Sequence, residues 1–386
     1  MAARVLVGTR KGTFIIERQQ GRWQPRLAGH AGAGSNFVAR DPNTGTLWAL
    51  LGHGHWGAKL SRSTDDGATW QDGTQIKYPP GARYIGTDMP SEEGAEPPPK
   101  LRTATLLKLW CIGFGPSGRI YVGTIPGGLF ESGDGGETFE LNRPLWSHDS
   151  RGGDLFESDG SGRTQWFGTP ASESGEFAAG IHSIVVDPTD ANRILVAVST
   201  AGVLESIDGG KSWRGRNVGM TNDYLPDPHA EWGHDPHYVT LCAGQPRHLW
   251  QQNHCGVFYS SDGAASWKNV SQPDLGVRFG FPVAVDARDG RTAWLVPGHS
   301  DMQRTAVDGG LFVARTTDGG ESWTQLRNGL PQQNAYDVVY RHALDVDGDV
   351  LAFGSTTGNL YLSEDRGDSW QTVGNNLPPI YSVRFG

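Results

Sequence analysis

The sequence has few cysteines and no long apolar segment. Only three cysteines, Cys111, Cys242 and Cys255, occur in 386 residues, too few for a disulfide framework and typical of a reducing compartment. No stretch approaches the ~18 consecutive apolar residues of a membrane span. Arg10 and Lys11 interrupt the apolar N-terminal stretch, which is unlike the core of a signal peptide. We therefore expect a cytoplasmic protein that does not contact a membrane.

The chain also lacks an excess of positive charge. Its 33 lysines and arginines are outnumbered by 42 aspartates and glutamates, which gives a net charge of −9. Such a surface repels nucleic acids, and no basic stripe offsets it. Glycine and tryptophan are abundant instead, with 55 and 14 copies. This composition is typical of many short strands joined by tight turns, which favours an all-β fold.

One octapeptide recurs along the chain, with the pattern Ser/Thr-x-Asp-x-Gly-x-Ser/Thr-aromatic. Its Asp can accept hydrogen bonds from backbone amides in a tight turn, and its Gly allows a positive φ. The aromatic residue starts the next strand and can pack between neighbouring sheets. A sixth copy has Ala264 in place of the glycine. The copies are STDDGATW (63–70), SGDGGETF (132–139), SIDGGKSW (206–213), SSDGAASW (260–267), TTDGGESW (316–323) and SEDRGDSW (363–370).

Each octapeptide closes the same frame of two short strands separated by a glycine turn. The frame also occurs at the N-terminus without the octapeptide, which makes seven units. A repeat of ~40–50 residues with four strands is typical of a propeller blade. The sequence therefore predicts one domain over residues 1–386, an all-β, seven-bladed β-propeller. Longer spacings predict blade-to-blade insertions at 71–108, 140–180 and 214–236.

Six units have a further strand before the frame, which we expect to be the innermost strand of its blade. The first unit has none before Val5–Thr9, whereas the C-terminal strand Ile380–Phe385 has no unit after it. Pairing of this last strand with the first blade would close the ring and hide the sheet edges. The expected inner strands of the other six units are 36–39, 110–114, 183–187, 238–242, 282–286 and 337–340.

The octapeptides resemble the Asp boxes of BNR repeats, which occur in sialidases and in the VPS10, xyloglucanase and photosystem II assembly-factor propellers. Nearly the whole chain is similar to bacterial BNR-repeat proteins of the sialidase-like group, loosely called glycosyl hydrolases. The resemblance implies a propeller fold but no particular activity. The matching stretches are GHGHWGAKL (52–60), IHSIVVDP (181–188), VLESIDGGKSW (203–213), GHDPH (233–237) and QQNHCGVF (251–258).

Sialidase chemistry is not expected to carry over to this chain. The resemblance to sialidases would imply three arginines that hold a substrate carboxylate, a Tyr–Glu nucleophile pair and an Asp acid. The first of those arginines belongs to an Arg-Ile-Pro motif, where this chain has Arg10 in TRKG. No residues can be assigned to the Tyr–Glu pair.

Histidines concentrate on one predicted face of the propeller. The loops between blades and the loops between second and third strands share this face, and ten of the twelve histidines fall in or beside them. His182, His234, His237 and His254 come from neighbouring blades, so we predict that they bind a divalent metal: Zn²⁺, Ni²⁺, Fe²⁺ or Mn²⁺. The alternative is a polar channel lining, in which the histidines only form hydrogen bonds or bind a ligand in a pH-dependent way.

Other residues of this face are candidates for catalysis and for binding a small polar or sugar-like molecule. Glu231 and Asp235 could complete the metal site or act as a base. Isolated basic residues on loops have the alternative of being merely solvated. The candidate substrate-binding residues are Arg10, Lys11, His53, His55, Trp110 and Arg304.

These residues leave three functions open. The first is a metal-dependent hydrolase or lyase, in which the ion polarises a carbonyl or activates water. The second is a non-catalytic binding or assembly propeller with an exposed patch outside the funnel. The third is a metal-free glycosidase, which needs two carboxylates about 5–10 Å apart. Its candidate carboxylates are Asp88, Glu92, Asp223, Glu231, Asp235 and Asp301.

Overall fold

The short runs of β-branched and aromatic residues between the glycine turns form strands, and these strands build seven four-stranded antiparallel sheets. The structure is a computed structural model that describes residues 4–53, 55, 57–86, 100–156, 164–166, 169–170 and 177–386. Each of the seven sheets is one blade, so the predicted all-β, seven-bladed propeller is confirmed.

In six blades the strands follow one another in chain order from the inner edge to the outer edge, and only the first blade combines both ends of the chain. From inner to outer, the strands are Ile380–Phe385, Val5–Thr9, Gly12–Gln19 and Arg22–Gly29 in blade 1; Gly34–Arg40, Leu47–His53, Gly57–Ser63 and Gln71–Asp72 in blade 2; Lys108–Phe114, Ile120–Ile125, Leu129–Ser132 and Glu140–Leu141 in blade 3; Ile181–Asp187, Asp190–Val198, Gly202–Ser206 and Arg214–Gly215 in blade 4; Pro236–Cys242, Gln245–Asn253, Gly256–Ser260 and Lys268–Asn269 in blade 5; Gly280–Val285, Ala293–Pro297, Val313–Thr316 and Thr324–Leu326 in blade 6; and Leu344–Asp347, Val350–Gly354, Leu360–Ser363 and Gln371–Gly374 in blade 7.

The ring is closed by the C-terminal strand, as predicted. Ile380–Phe385 pairs with Val5–Thr9 in an antiparallel register that places Val383 opposite Val7. Ile380 and Val383 are fully buried in a core shared by blades 6, 7 and 1. The two chain ends therefore lie in the same sheet, and Val5–Thr9 is paired on both of its edges.

The predicted inner strand of blade 7 at 337–340 is wrong. The strand that occupies this place is Leu344–Asp347. The earlier segment is held by its side chain instead, because the Asp337 carboxylate accepts hydrogen bonds from Thr357 (2.6 Å) and Asn359 (2.8 Å). A turn then follows, in which the Ala343 amide bonds the Tyr340 carbonyl at 2.9 Å.

All six octapeptides fold into the same turn. In blade 4, the Asp208 carboxylate accepts hydrogen bonds from the Ser206 hydroxyl (2.8 Å) and from both the amide (2.9 Å) and the hydroxyl (2.6 Å) of Ser212. The glycine position requires a positive φ, which is +88° at Gly210. In blade 5 the same position is Ala264, with a φ of +65°. This side chain adopts a left-handed conformation that ordinarily favours glycine.

The longest predicted insertion, 140–180, is partly described and is pinned by a cation. The Arg151 guanidinium lies 3.7 Å from the centre of the Trp146 ring and 4.7 Å from that of Trp166. All three side chains are buried, so these tryptophans fasten the insertion to the propeller. The insertions also contain a short α-helix, a 3₁₀ turn and two two-stranded sheets: Arg143–Trp146, Asp149–Arg151, Arg83–Gly86 with Lys100–Thr103, and Thr169–Pro170 with Phe177–Ala178.

Helices are short throughout the described residues. Two further 3₁₀ turns, Pro273–Leu275 and Val307–Gly309, lie in connections near blade 6. Among the described parts of the chain, no helix has the length and apolar character needed to cross a membrane. The three cysteines are buried and form no disulfide.

Candidate functional site

A β-bulge at the start of the inner strand recurs in six blades and directs side chains to the mouth of the channel. The pairing with the second strand skips one residue in blades 1 to 5 and two residues in blade 6. A bulge leaves the extra residue unpaired and re-aims its side chain. From blade 1 to blade 6, the skipped residues are Tyr381, Asn36, Trp110, His182, His237 and the pair Phe281 and Pro282.

Five of these bulge residues surround a cavity of about 580 Å³. The remaining walls come from the residues beside the bulges, from the loops of blades 5 and 6, and from the turn before the inner strand of blade 7. The described lining consists of Asn36, Lys108, Trp110, Ile125, Asp235, His237, His254, Phe281, Asp301, Arg304, Tyr340, Arg341, His342 and Tyr381.

Three potential metal ligands converge on one side of this cavity. Asp235 precedes the inner strand of blade 5, His237 occupies its bulge, and His254 follows the second strand. The pairing of these two strands brings the three residues together, and the His254 amide bonds the Asp235 carbonyl at 2.9 Å. One ligand atom from each residue lies within 4.8 Å of the other two. This group is the only one of its kind in the described part of the chain.

Two of the three distances within the group, those from Asp235 to each histidine, are close to those of a coordination sphere. Oδ2 of Asp235 lies 3.4 Å from Nε2 of His237 and 3.6 Å from Nδ1 of His254. In a tetrahedral site with bonds of about 2.0–2.1 Å, two ligand atoms lie about 3.3 Å apart. The second carboxylate oxygen of Asp235 accepts a hydrogen bond from the Thr200 amide at 3.2 Å, which fixes the direction of Oδ2.

The orientation of the His237 ring favours a cation between it and Asp235. Its Nδ1 lies 2.6 Å from the Gly280 carbonyl oxygen, which can only accept, so Nδ1 carries the hydrogen. In the neutral ring, Nε2 then directs a lone pair towards the Asp235 carboxylate. Two acceptors at this distance repel each other unless a proton or a metal ion lies between them. A ring N–H donated to a backbone carbonyl is also the usual arrangement of a metal-binding histidine.

The protonation states suit a metal better than a proton. Burial lowers the pKa of His237 despite the opposing attraction of Asp235, so the ring is neutral at pH 7. Burial alone would raise the pKa of Asp235, but its close polar contact with His237 and the positive charge of Arg341 lower it to about 2. An ionised carboxylate and a neutral imidazole are the forms that bind divalent ions.

Another part of the lining is cationic. The Arg341 Nε donates a hydrogen bond to the His237 carbonyl at 3.0 Å, so this guanidinium lies directly beside the three-residue group. Arg341 and Lys108 both approach the Trp110 ring, at 5.0 and 5.2 Å from its centre. Arg304 is paired with the Asp301 carboxylate in the same cavity.

The structure separates the predicted metal ligands into two sets. His237 and His254 belong to the group, whereas His182 and His234 do not. His182 is fully buried against Trp110, with Nδ1 3.1 Å from the Ser183 hydroxyl. Nε2 of His234 is 2.8 Å from the Ala230 carbonyl and therefore carries the hydrogen of its ring. The structure thus brings together two of the four predicted histidines and leaves His182 and His234 outside the group.

The two predicted catalytic acids also differ in position. Asp235 lies in the group, as described above. Glu231 is exposed, and its carboxylate lies against Gly215 in the outermost strand of blade 4. It is absent from the described lining of the cavity, because the chain between Glu231 and Asp235 descends from the outer edge of blade 4 to the inner strand of blade 5. The structure therefore does not place Glu231 beside Asp235 in the cavity.

The predicted substrate-binding residues are divided in the same way. Trp110 and Arg304 line the cavity, whereas Arg10 and Lys11 are exposed in the turn after Val5–Thr9. The charge of Arg10 still reaches the cavity wall: burial raises the pKa of Tyr381, and Arg10 opposes this shift. His55 is exposed and is not part of the described lining, and the side chain of His53 lies outside the described residues.

Of the described carboxylates proposed for a glycosidase, Asp235 and Asp301 reach the cavity. Asp223 instead pairs with Arg278 at 2.7 Å in a neighbouring loop. Asp88 and Glu92 lie outside the described residues.

Sequence reasoning missed Lys108, Phe281, Tyr340, Arg341 and Tyr381 in the cavity lining. A signal for some of them was present, because the bulge residues lie at the second or third position of an inner strand. The bulge itself cannot be read from a period of two, which assigns alternate residues to opposite faces without a skip. Arg341 was missed because the inner strand of blade 7 was placed too early.

No protein-family model matches the chain, and no curated protein matches it in sequence. Solved structures do share its fold. An ancestral GH74 enzyme is 18% identical over 95% of this chain and 40% of that chain, with a TM-score of 0.54. A GH74 enzyme of Niastella koreensis is 16% identical over 98% of this chain and 65% of that chain, with a TM-score of 0.52. A putative 6-phosphogluconolactonase from Bacteroides fragilis is 10% identical over 100% of this chain and 98% of that chain, with a TM-score of 0.56.

These similarities concern the fold alone. The chain spans only 40% and 65% of the length of the two GH74 enzymes, and the identities are too low to transfer an activity. The propeller implied by the sequence resemblance is thereby confirmed, whereas membership of the sialidase-like BNR group stays a prediction.

Proposed function

We propose that this propeller is a divalent-metal-dependent hydrolase or lyase that acts on a small polar molecule in the cavity at the mouth of its channel. The observation that carries the proposal is the convergence of Asp235, His237 and His254, whose ligand atoms lie within 4.8 Å of one another. Two imidazoles and one carboxylate are a ligand set used by catalytic zinc and by non-haem iron(II), and Mn²⁺ and Ni²⁺ also accept it.

The three residues supply an incomplete coordination sphere. Three protein ligands leave at least one position for water or substrate, as is usual in catalytic metal sites and unusual in structural ones. His254 is half-buried and faces the open cavity. A bound divalent ion would polarise a carbonyl group or lower the pKa of a bound water molecule.

The remaining residues have roles of their own in this proposal. Thr200 and Gly280 orient Asp235 and His237 through backbone hydrogen bonds. Phe281 stacks on the His237 ring at 4.6 Å, which limits the rotation of that ring. Asp301 is the remaining carboxylate of the described lining that could accept a proton, and its partner Arg304 holds it at the edge of the cavity.

A metal-free glycosidase is less well supported. Such an enzyme needs a carboxylic acid with a raised pKa as its general acid. The pKa of Asp235 is shifted the opposite way, to about 2. The carboxylate of Asp301 is already paired with the Arg304 guanidinium.

The proposal is tested by metal analysis of protein purified without a histidine tag. We expect close to one equivalent of a divalent transition metal per chain, and a rise in the melting temperature when the metal is returned to chelator-treated protein. In Asp235→Asn, the bound metal should be lost while the fold is kept. Asp223→Asn is the matched control, because it removes a carboxylate beside the cavity that belongs to no ligand group.

The result that would overturn the proposal is a wild-type protein that holds no stoichiometric metal and is not stabilised by Zn²⁺, Mn²⁺, Ni²⁺ or Fe²⁺. Catalysis is tested separately with a panel of small esters, lactones and hydroxy acids. Turnover that stops with chelator and in Asp235→Asn supports an enzyme. Metal binding without any such turnover would indicate a binding protein.

A further inference from the structure

Lys108 and Arg341 are two cations that share one cavity without a counter-ion. The Lys108 ammonium forms no hydrogen bond and no ion pair with any described residue, and the Arg341 guanidinium forms no ion pair and uses only its Nε, on the His237 carbonyl. Both side chains are half-buried. Charges that are partly withdrawn from water and lack a counter-ion weaken a fold, so two of them in one cavity require an explanation.

The two cations are held at a common place. Both contact the ring of Trp110, with the Lys108 ammonium 5.2 Å and the Arg341 guanidinium 5.0 Å from its centre. Phe281 supports the guanidinium from a second direction at 5.5 Å. Aromatic faces partly compensate a cation but leave its N–H groups free to donate. Several donors therefore remain available at the cavity surface.

Other charges of the cavity do not neutralise this pair. Asp301 is already paired with Arg304, and Asp235 faces His237 and His254. With neutral imidazoles, the three cations and two carboxylates of the described lining leave a net positive charge, although the whole chain carries −9. A divalent ion at the three-residue group would make the cavity still more positive. Burial, and then the charge of Arg341, lowers the pKa of Lys108 to about 8, as expected where no anion is near.

We propose that Lys108 and Arg341 bind a carboxylate or phosphate group of the substrate, so that the molecule acted on in this cavity is a small organic anion. Arg341 bonds the backbone of His237 itself, and this contact places the anion subsite beside the proposed metal ligands. A guanidinium can bind either anion through two parallel hydrogen bonds, and the ammonium adds a point charge. The position of the reacting group next to the metal rests on the proposed function, whereas anion binding does not.

The inference is tested by calorimetric titration with L-malate, inorganic phosphate and malamide, the uncharged diamide of malate. Each is titrated with and without added Zn²⁺. We expect saturable binding of malate or phosphate and none of malamide at millimolar concentrations. Tighter binding of malate would indicate a carboxylate substrate, and tighter binding of phosphate a phosphorylated one.

Lys108→Met keeps the length and the apolar stem of the side chain and removes only the charge. It should weaken anion binding at least tenfold and leave the metal content unchanged. Arg341→Lys provides a second variant that keeps one charge, and it should lose the advantage of two parallel hydrogen bonds. Lys268→Met is the control, because Lys268 is exposed on the outermost strand of blade 5.

The possible outcomes separate the two proposals. If the wild-type protein takes up no divalent metal but binds an anion in a way that depends on Lys108, the subsite is supported and the metal proposal is refuted. A metal-loaded protein that binds neither anion, or that binds malamide as tightly as malate, would refute the subsite alone. Unchanged anion affinity in a folded Lys108→Met variant would do the same.

Discussion

His182 in blade 4 and His237 in blade 5 occupy the same position in two copies of one unit, yet only one of them faces potential ligands. Each is the second residue of its inner strand, and each is the residue that the strand register skips. His182 is sealed against Trp110, whereas His237 directs Nε2 at Asp235. The backbone position is the same, so the difference must come from the neighbouring residues.

The residues before and after the strands explain this difference. The residue that precedes the strand is Gly180 in blade 4 and Asp235 in blade 5. A Cβ atom on Gly180 would lie 2.5 Å from the Trp110 ring, so no carboxylate fits there. At the end of the second strand, blade 4 has Ser199, whose hydroxyl bonds the Gly180 amide at 3.0 Å, and blade 5 has His254. The same backbone unit thus forms a potential metal site in blade 5, because the two residues that flank its strands are Asp235 and His254 in place of Gly180 and Ser199.

The largest expected effect is on Zn²⁺ affinity, and it tests whether His237 binds metal while His182 does not. His237→Asn keeps a donor for the Gly280 carbonyl but removes Nε2, so it should weaken Zn²⁺ binding by roughly a hundredfold or more, about 3 kcal/mol. His182→Asn should leave the affinity within about twofold. Competition with a chromogenic chelator measures both. Equal losses in the two variants would place both histidines in one site and end the comparison.

The second prediction concerns stability, for which His182 should matter through its packing. His182→Asn removes part of a fully buried ring that packs on Trp110, so it should lower the free energy of unfolding by about 2 kcal/mol. Urea unfolding in the presence of chelator measures this without a contribution from metal. A variant as stable as the wild type would show that the His182 ring is not needed for packing and would reopen its role.

Much of the fold could be predicted because short local sequence patterns determine it. The Asp and the glycine of each octapeptide specify one turn, as the bonds of Asp208 show, and the pairing of Ile380–Phe385 follows from the one unit that lacks an inner strand. Asp235, His237 and His254 were found because they lie at strand ends on one face. The sequence could not distinguish His182 from His237, since the exclusion at Gly180 arises from Trp110 of another blade.

The third prediction compares the octapeptide turns of blades 4 and 5, which have Gly210 and Ala264 at the same position. Gly210→Ala would hold a side chain at a φ of +88° with its Cβ 2.6 Å from Nδ2 of Asn142, and should cost about 2 kcal/mol of stability. Ala264→Gly should leave the stability almost unchanged. It relieves about 1 kcal/mol of strain in the left-handed backbone conformation, but it loses about 0.8 kcal/mol because one buried methyl group is removed. Thermal unfolding of the two variants should therefore differ clearly. A harmless Gly210→Ala would show that the two turns tolerate a side chain equally.

The smallest expected effect concerns Lys108. Its charge is proposed to bind an anion, and the same charge should lower the stability of the folded protein. Burial and Arg341 lower the pKa of Lys108 from 10.5 to about 8, so above pH 8 the unfolded chain binds more protons than the folded one. Wild-type stability should therefore rise between pH 8 and pH 10.5 on account of this group.

The Lys108→Met side chain does not titrate. This variant should be more stable than the wild type at pH 7, by roughly 1–2 kcal/mol after allowance for the partial exposure of Lys108. The gain should shrink as the pH rises towards 10.5 in urea unfolding, while Lys268→Met shows no gain at any pH. A Lys108→Met protein that is less stable at pH 7 would mean that the ammonium has a partner in the folded state, and the argument for an unpaired cation awaiting an anion would fail.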